Sequence, residues 1–243
     1  MADECFTHPR LAAIYDALDP ERPDLPPYLA LVRALGARRV LDLGCGTGVF
    51  ALLLAAEQEI TEVIGVDPAA ASVEVARAKP GAERVRWITG DATALPPLGV
   101  DLVTMTANAA QEITEDGPWL AALVGVHGAL RPGGHFVFES RVPARRAWEG
   151  WTREASDRVS ELPGVGAVEN WVELVEVAGP LVTFRWNYVF ASDGAHLTSE
   201  STLRFREREE VAADLRATGF DLAEVREAPD RPGKEHVFLA RRP

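Results

Sequence analysis

The chain has 243 residues, 47% apolar and 26% charged, and no low-complexity tract, which excludes a disordered or fibrous protein and leaves enough chain for one large buried core. Its formal charge of −12 argues against nucleic acid or an anionic membrane as the main partner. Two distant cysteines, Cys5 and Cys45, supply neither a disulfide framework nor a metal-ligand spacing, and no run of eighteen apolar residues or secretory leader is present, so a reducing, cytoplasmic setting without membrane insertion is expected.

In chain order, residues 8–19 and 26–36 read as two short helices around the proline-rich stretch Asp19 to Pro27. Short apolar runs at 39–43, 62–66, 85–89, 100–106 and 135–141 read as strands. Between them 48–58, 69–79 and 115–130 carry helical spacing, the last stopped by Leu130-Arg-Pro-Gly-Gly134 and a turn. This alternation predicts strand-helix-strand units and a mostly parallel, doubly wound α/β sheet. Beyond residue 141 the pattern changes. Pro143 to Arg158 looks helical, and 168–178, 181–191 and 196–206 alternate like strands around turns at Gly179-Pro180 and Ser192-Asp193-Gly194, an antiparallel meander. A helix over 207–218 and strands over 220–227 and 236–242 close the chain. A single domain over 1–243 is expected, with a core over 37–141 and 207–243, a helical lid over 1–36, and a substrate cap inserted over 142–206.

The strongest local signal is Val40-Leu-Asp-Leu-Gly-Cys-Gly-Thr-Gly48, a buried strand running into Gly44, Gly46 and Gly48 and then an apolar helix. Alternate glycines permit a tight turn and close backbone approach to a ligand at the helix start. The dinucleotide fingerprint G-x-G-x-x-G fails, because Val49 stands in its third slot. Asp42, two residues before the first glycine, would repel a pyrophosphate and attract an ammonium. Asp67, at the tip of the second strand before Pro68, suits a ribose diol, although an acid there is also a ready helix cap. Asp91, followed by Ala92, suits the exocyclic amine of adenine. Three acids at successive strand ends, with a glycine loop, point to a positively charged nucleoside amino acid.

These residues resemble the class I S-adenosylmethionine-dependent methyltransferases, from about residue 36 to 141 and again over 207–242. The resemblance implies a Rossmann-like seven-stranded sheet whose last strand is antiparallel, with Gly44, Cys45, Gly46, Thr47 and Gly48 against the methionine end of S-adenosyl-L-methionine. It implies Asp67 and Pro68 at the ribose, Asp91 and Ala92 at the adenine, and methionyl contacts from Thr106, Ala107 and Asn108. That last stretch is similar to the Gly-Asn turn of glycine N-methyltransferase-like enzymes, with Ala107 in place of the glycine. Asn108, Gln111, Arg141, Trp151 and Tyr15 are candidate substrate residues.

Trp148, Trp151, Trp171, Trp186 and Tyr188 either wall a pocket or serve as core or subunit contacts. No histidine among His8, His127, His135, His196 and His236 pairs with an acid at a suggestive spacing, so no catalytic base is assigned and no metal site is expected. The expected reaction is methyl transfer to a small molecule, with homo-oligomerisation through the meander as a further expectation. The rival readings are a non-catalytic S-adenosylmethionine-binding module and, behind it, a nicotinamide-dependent oxidoreductase.

Overall fold

The computed structural model describes residues 3–243. Three short helices, α1 (Glu4–Thr7), α2 (Pro9–Leu18) and α3 (Leu25–Ala34), precede the alternation β1 (Arg39–Leu43), α4 (Val49–Ala56), β2 (Glu62–Asp67), α5 (Ala70–Arg77), β3 (Val85–Thr89), β4 (Val100–Met105), α6 (Asp116–Ala129) and β5 (Leu130–Arg141). A short helix α7 (Arg153–Ser156) leads into β6 (Arg158–Leu162), β7 (Gly166–Ala178), β8 (Leu181–Phe190) and β9 (His196–Arg204). Then α8 (Arg208–Ala217), β10 (Asp221–Glu227) and β11 (Glu235–Arg241) end the chain.

The main sheet has seven strands in the order β10-β11-β5-β4-β1-β2-β3, parallel except for β11, which runs antiparallel to both neighbours. This is the expected Rossmann-like sheet, accompanied by a separate four-stranded antiparallel sheet, β6-β7-β8-β9. The central parallel strands β1, β2 and β4 bury both faces, and the period of two divides their residues cleanly. Leu41, Leu43, Val103, Met105, Phe136 and Phe138 pack with Trp119 and Leu123 of α6 and Leu215 of α8. Val40, Leu102 and Val137 pack with Val32 of α3 and Phe50 and Leu54 of α4. The strand order reverses between β1 and β4, which opens a crevice at the carboxyl ends of those strands.

The second sheet is not independent of the amino-terminal helices. Leu11, Ile14 and Leu18 of α2 form one cluster with Leu162, Val168, Tyr188 and Phe190, and the Arg10 guanidinium lies 3.6 Å from the Phe190 ring centre while pairing with Asp193.

Two expectations need correction. The segment 143–158 is not one helix: it breaks into 3₁₀ turns at Pro143–Arg145 and Ala147–Gly150 and the single turn of α7, with Arg146 left-handed at φ 46° between them. Arg158 begins β6, an edge strand whose residues are mostly exposed and polar, so no apolar run advertised it. Leu130 to Gly134 does end α6, but it is an irregular start of β5 rather than a free turn, with Gly133 left-handed at φ 77° and the pairing with β4 slipping between Leu130 and His135.

Candidate functional site

The glycine loop joins β1 to α4 and is tied to β2 by the Gly44 and Cys45 N–H groups, both donating to the Val66 carbonyl at 2.8 and 3.1 Å. Gly44, Gly46 and Gly48 all have positive φ, at 70, 53 and 82°, a run that side-chain-bearing residues tolerate poorly. The three differ in what surrounds them. A Cβ on Gly48 would stand 2.5 Å from the Trp87 ring, and one on Gly44 3.0 Å from Ala109, whereas one on Gly46 would meet nothing within 4 Å. The middle of the loop therefore borders open space while its ends are clamped.

The Asp67 carboxylate is buried and accepts from two backbone donors, Gly46 N–H and Ala69 N–H, both at 2.8 Å. It thus caps the entry to α5 and braces the loop at once, and each oxygen keeps a second lone pair for a ligand hydroxyl. Pro68 follows it on the surface. Asp91 accepts from the Thr93 N–H at 2.8 Å and the Thr93 hydroxyl, making a small capped turn in which Ala92 is buried. Helix α6 crosses that turn so closely that a Cβ on Gly125 would lie 1.8 Å from the Ala92 carbonyl oxygen.

Asp42 is only 1% exposed and points to the α3/α4 side of the sheet with Val40, accepting from the Thr104 hydroxyl at 3.2 Å. Burial, with the like charge of Asp67 adding, pushes its carboxyl up to about 7, so at neutral pH it is divided between its two forms. Its charge is thus weaker without a cation beside it than the sequence pattern implied.

Thr47 is buried and donates its hydroxyl to Asp16 of α2 at 2.6 Å; Lys79 donates to the Thr47 carbonyl at 2.6 Å and pairs with the same Asp16. Phe6 of α1 accepts from Ser72 of α5 at 2.9 Å. The amino-terminal helices therefore rest on the glycine loop as well as on the second sheet.

After β4 the chain turns through two consecutive left-handed residues, Ala107 at φ 58° and Asn108 at φ 60°. Asparagine tolerates this conformation better than alanine, and the strain is held by a buried polar network. Asn108 donates its N–H to Glu139 at 3.1 Å and its side-chain amide to Glu235 at 2.9 Å, and its own Oδ1 has no partner among the described residues. The Tyr28 hydroxyl donates to Glu139, and Arg231 to Glu235 at 2.7 Å. Burial, then the like charge of Glu235, pushes Glu139 up to about 8. Thr106 is buried and its carbonyl receives the Ala109 N–H at 3.3 Å, which starts the 3₁₀ turn Ala109–Glu112.

A cavity of about 220 Å³ opens between this turn, the amino-terminal helices and the second sheet. Tyr15, Ala107, Asn108 and Arg141 line it, as do Trp186 and Tyr188. Gln111 and Trp151 do not. Gln111 is 1% exposed and holds Arg141 in place, its Oε1 accepting from the Arg141 N–H at 3.3 Å and from Nη1 at 3.1 Å, while its own amide donates to the Arg204 carbonyl. Trp151 stands behind the wall against Phe184 and Phe205, with the Arg141 guanidinium 5.7 Å from its ring centre. Trp148 packs in the same cluster, and Trp171 lies under Arg153 on another part of the sheet. Of the five aromatics singled out in the sequence, two reach the cavity.

Sequence reasoning missed Cys5, Phe6 and Glu112 in the cavity wall, and Asp16 and Lys79 beside Thr47. The position of Glu112, beside Gln111 on the turn after β4, was the available clue. Among the described residues no cluster of His, Cys, Asp and Glu is suited to hold a metal ion, and no helix is long and apolar enough to cross a membrane.

Residues 40–134, the unit that carries the loop and all three acids, match a methyltransferase domain family. The chain is 30% identical over 187 residues to the demethylmenaquinone methyltransferase of Deinococcus radiodurans, covering 75% of this chain and 68% of that one. It is 32% identical over 190 residues to the release factor glutamine methyltransferase of Cereibacter sphaeroides, covering 67% and 68%. The fold is shared with an S-adenosylmethionine-bound amino pentose methyltransferase from Micromonospora echinaspora, with a TM-score of 0.76 at 23% identity over 95% of this chain and 97% of the other. A glycine loop without the dinucleotide fingerprint, acids at successive strand tips and this kinship converge: the chain belongs to the class I S-adenosylmethionine-dependent methyltransferases.

Proposed function

We propose that the chain methylates a small molecule held in the cavity beneath the amino-terminal helices, with S-adenosylmethionine on the glycine loop. The observation that carries this reading is the cleft itself, of about 220 Å³. It adjoins the turn after β4, its walls come from the amino-terminal helices and the antiparallel sheet, and its size suits a small molecule. The Micromonospora neighbour, whose fold is shared, is named for a small amino sugar. The relatives named for a quinone and a release factor share the domain with this chain, so kinship alone does not give the acceptor.

The residues present fit the methyl donor. Gly46 leaves open space for close backbone approach, Asp67 keeps a lone pair on each oxygen for a ribose diol, and Asp91 with Ala92 forms a fixed turn for the base. An ammonium near Asp42 would favour its charged form, which couples cation binding to loss of a proton. When bound, S-adenosylmethionine supplies a methyl group activated by a sulfonium. The protein's part is to hold the acceptor in line and exclude water, and positioning of this kind is worth about 7–11 kcal/mol of the barrier.

In this reading residues 1–36 act as the lid and 142–206 as the substrate cap of one domain. Gln111 serves by positioning Arg141, and Trp151 by backing the wall. Exposed Val159, Leu174, Val175 and Val177 on the cap sheet support self-association through it, which sedimentation would detect. The test of the function is turnover of methyl-labelled S-adenosylmethionine with a library of small acceptors. Label appearing in low-mass products supports the proposal, and label appearing only in protein or RNA acceptors refutes it.

A further inference from the structure

The cavity has two chemically different ends. At one, Arg141 is spoken for: Gln111 holds it, and the nearest carboxylate, Glu235, lies 3.9 Å away on the buried side. Arg158, also in the wall, donates to Asn170 at 3.2 Å. At the other end stands Glu112, on the 3₁₀ turn whose first residue, Ala109, abuts Gly44 of the glycine loop. Among the described residues the Glu112 carboxylate has no hydrogen-bond or ion-pair partner, and the charges that act on it are those of Asp3 and Asp67, not of Arg141. Glu112 lines the cavity and is exposed, and the loss of surrounding water within the cleft is the largest influence on its proton, pushing it up to about 8.

A carboxylate on a cavity wall that no side chain among the described residues engages is free to take a cationic partner from a bound ligand. Phe6, Tyr15, Phe184, Trp186 and Tyr188 line the same cavity. Aromatic faces and a carboxylate are the two features that recognise an organic ammonium. The thiol and the phenols on the wall do not compete for this role. Burial pushes the Cys5 thiol and the Tyr15 and Tyr188 hydroxyls upward, so they keep their protons at neutral pH. Asp19, at the carboxyl end of α2, is a second carboxylate on the wall, so its Asp19→Asn variant serves as the control for Glu112.

Resting on the small-molecule reading above, we propose that the acceptor is an amine and that Glu112 binds its ammonium form and takes its proton. The N–H bond breaks, its electron pair stays on nitrogen as the nucleophile, and the proton forms an O–H bond on a Glu112 oxygen, giving a neutral amine and a neutral carboxyl. The proton passes to solvent when the cavity opens, which restores the carboxylate. A carboxyl poised near neutral pH suits both halves of this cycle.

The test uses the whole protein saturated with S-adenosylhomocysteine and two probes of the same shape, choline and its uncharged isostere 3,3-dimethylbutan-1-ol, titrated calorimetrically. Choline is expected to bind about tenfold or more tightly than the alcohol, as one charge-aromatic and charge-carboxylate site requires. Choline carries no ionisable ammonium proton. Its binding at pH 7 is therefore expected to expel close to one proton from the protein, read from the dependence of the heat on buffer ionisation. In Glu112→Gln the proton release should vanish and the preference for the cation fall several-fold, with S-adenosylhomocysteine affinity unchanged. Equal binding of the two probes by the wild type, or no choline binding at millimolar concentration, overturns the proposal. So does proton release that survives in Glu112→Gln. Failure of S-adenosylhomocysteine to bind either protein would instead count against the cofactor reading on which it rests.

Discussion

The Asp67 carboxylate accepts a hydrogen bond from the Gly46 N–H at 2.8 Å, so the acid at the tip of β2 and the middle of the glycine loop form one unit. Its other oxygen accepts from Ala69 N–H at 2.8 Å. The ligand's ribose and methionine ends would thus be gripped by parts that brace each other.

Asp67→Asn keeps the side-chain shape but sets an amide N–H against one of the two backbone donors. A hydrogen bond to a charged group contributes ~1.5–3 kcal/mol, so S-adenosylhomocysteine affinity should fall about 10- to 100-fold by calorimetry while the variant stays folded. Unchanged affinity would remove Asp67 from the site.

The glycines should separate by position. Gly46→Ala adds a Cβ that meets nothing, so its cost is the left-handed backbone alone, ~1–2 kcal/mol of stability. Its larger effect should be on ligand binding, where a bulkier Gly46→Val blocks the approach of the ligand rather than colliding with the protein. Gly125→Ala must displace either α6 or the Asp91–Ala92 turn, because its Cβ would lie 1.8 Å from a backbone oxygen. It should cost at least ~1–3 kcal/mol in urea melts and loosen the base end of the site. Equal stability of the two alanine variants would contradict this ordering.

These contrasts mark what the sequence could and could not reveal. Strand β1 falls at the residues its apolar run indicates, because a strand buried on both faces needs such a run, and β3, although an edge strand with only Val85 fully buried, also lies where its run indicates. The loop announced itself because three alternate glycines at positive φ have few uses other than close approach. By contrast, Arg158-Val-Ser-Glu-Leu162 is an edge strand and carries too little apolar signal to show as one. The Asn108–Glu139–Glu235 network joins residues far apart in the chain, which no local pattern encodes. Gln111 and Trp151 were picked for residue type and proximity in sequence. Both turned out to stand behind the cavity wall, since the direction in which a turn residue points is decided by tertiary packing.

The contact between α2 and the glycine loop should govern ligand exchange. Thr47→Val removes the hydroxyl that donates to Asp16 at 2.6 Å while preserving shape, at a cost of about 1 kcal/mol. Dissociation of S-adenosylhomocysteine, followed by stopped-flow fluorescence, should accelerate several-fold with little change in melting temperature. An unaltered rate would show that α2 does not have to leave the loop for the ligand to escape.

Stability of the unliganded protein should fall as pH rises. Glu139 holds its proton more tightly folded than unfolded, so its contribution is whole below the ordinary carboxylate range, about 4, and is lost as pH climbs to about 8. Asp42, raised to about 7, and Glu112, raised to about 8, act in the same direction. Melting temperature should therefore decline between pH 5 and pH 8.5, roughly the window these shifts define, and Glu139→Gln should flatten part of the slope. A melting temperature that climbs across this window would reverse the assigned sign.

The most direct measurement is a crystal structure of the protein with S-adenosylhomocysteine. The account predicts the ribose hydroxyls on Asp67, the base at Asp91 and Ala92, and the sulfur facing the cavity bounded by Tyr15 and Glu112. A ligand anchored away from Gly44–Gly48, or a sulfur turned from that cavity, would contradict it.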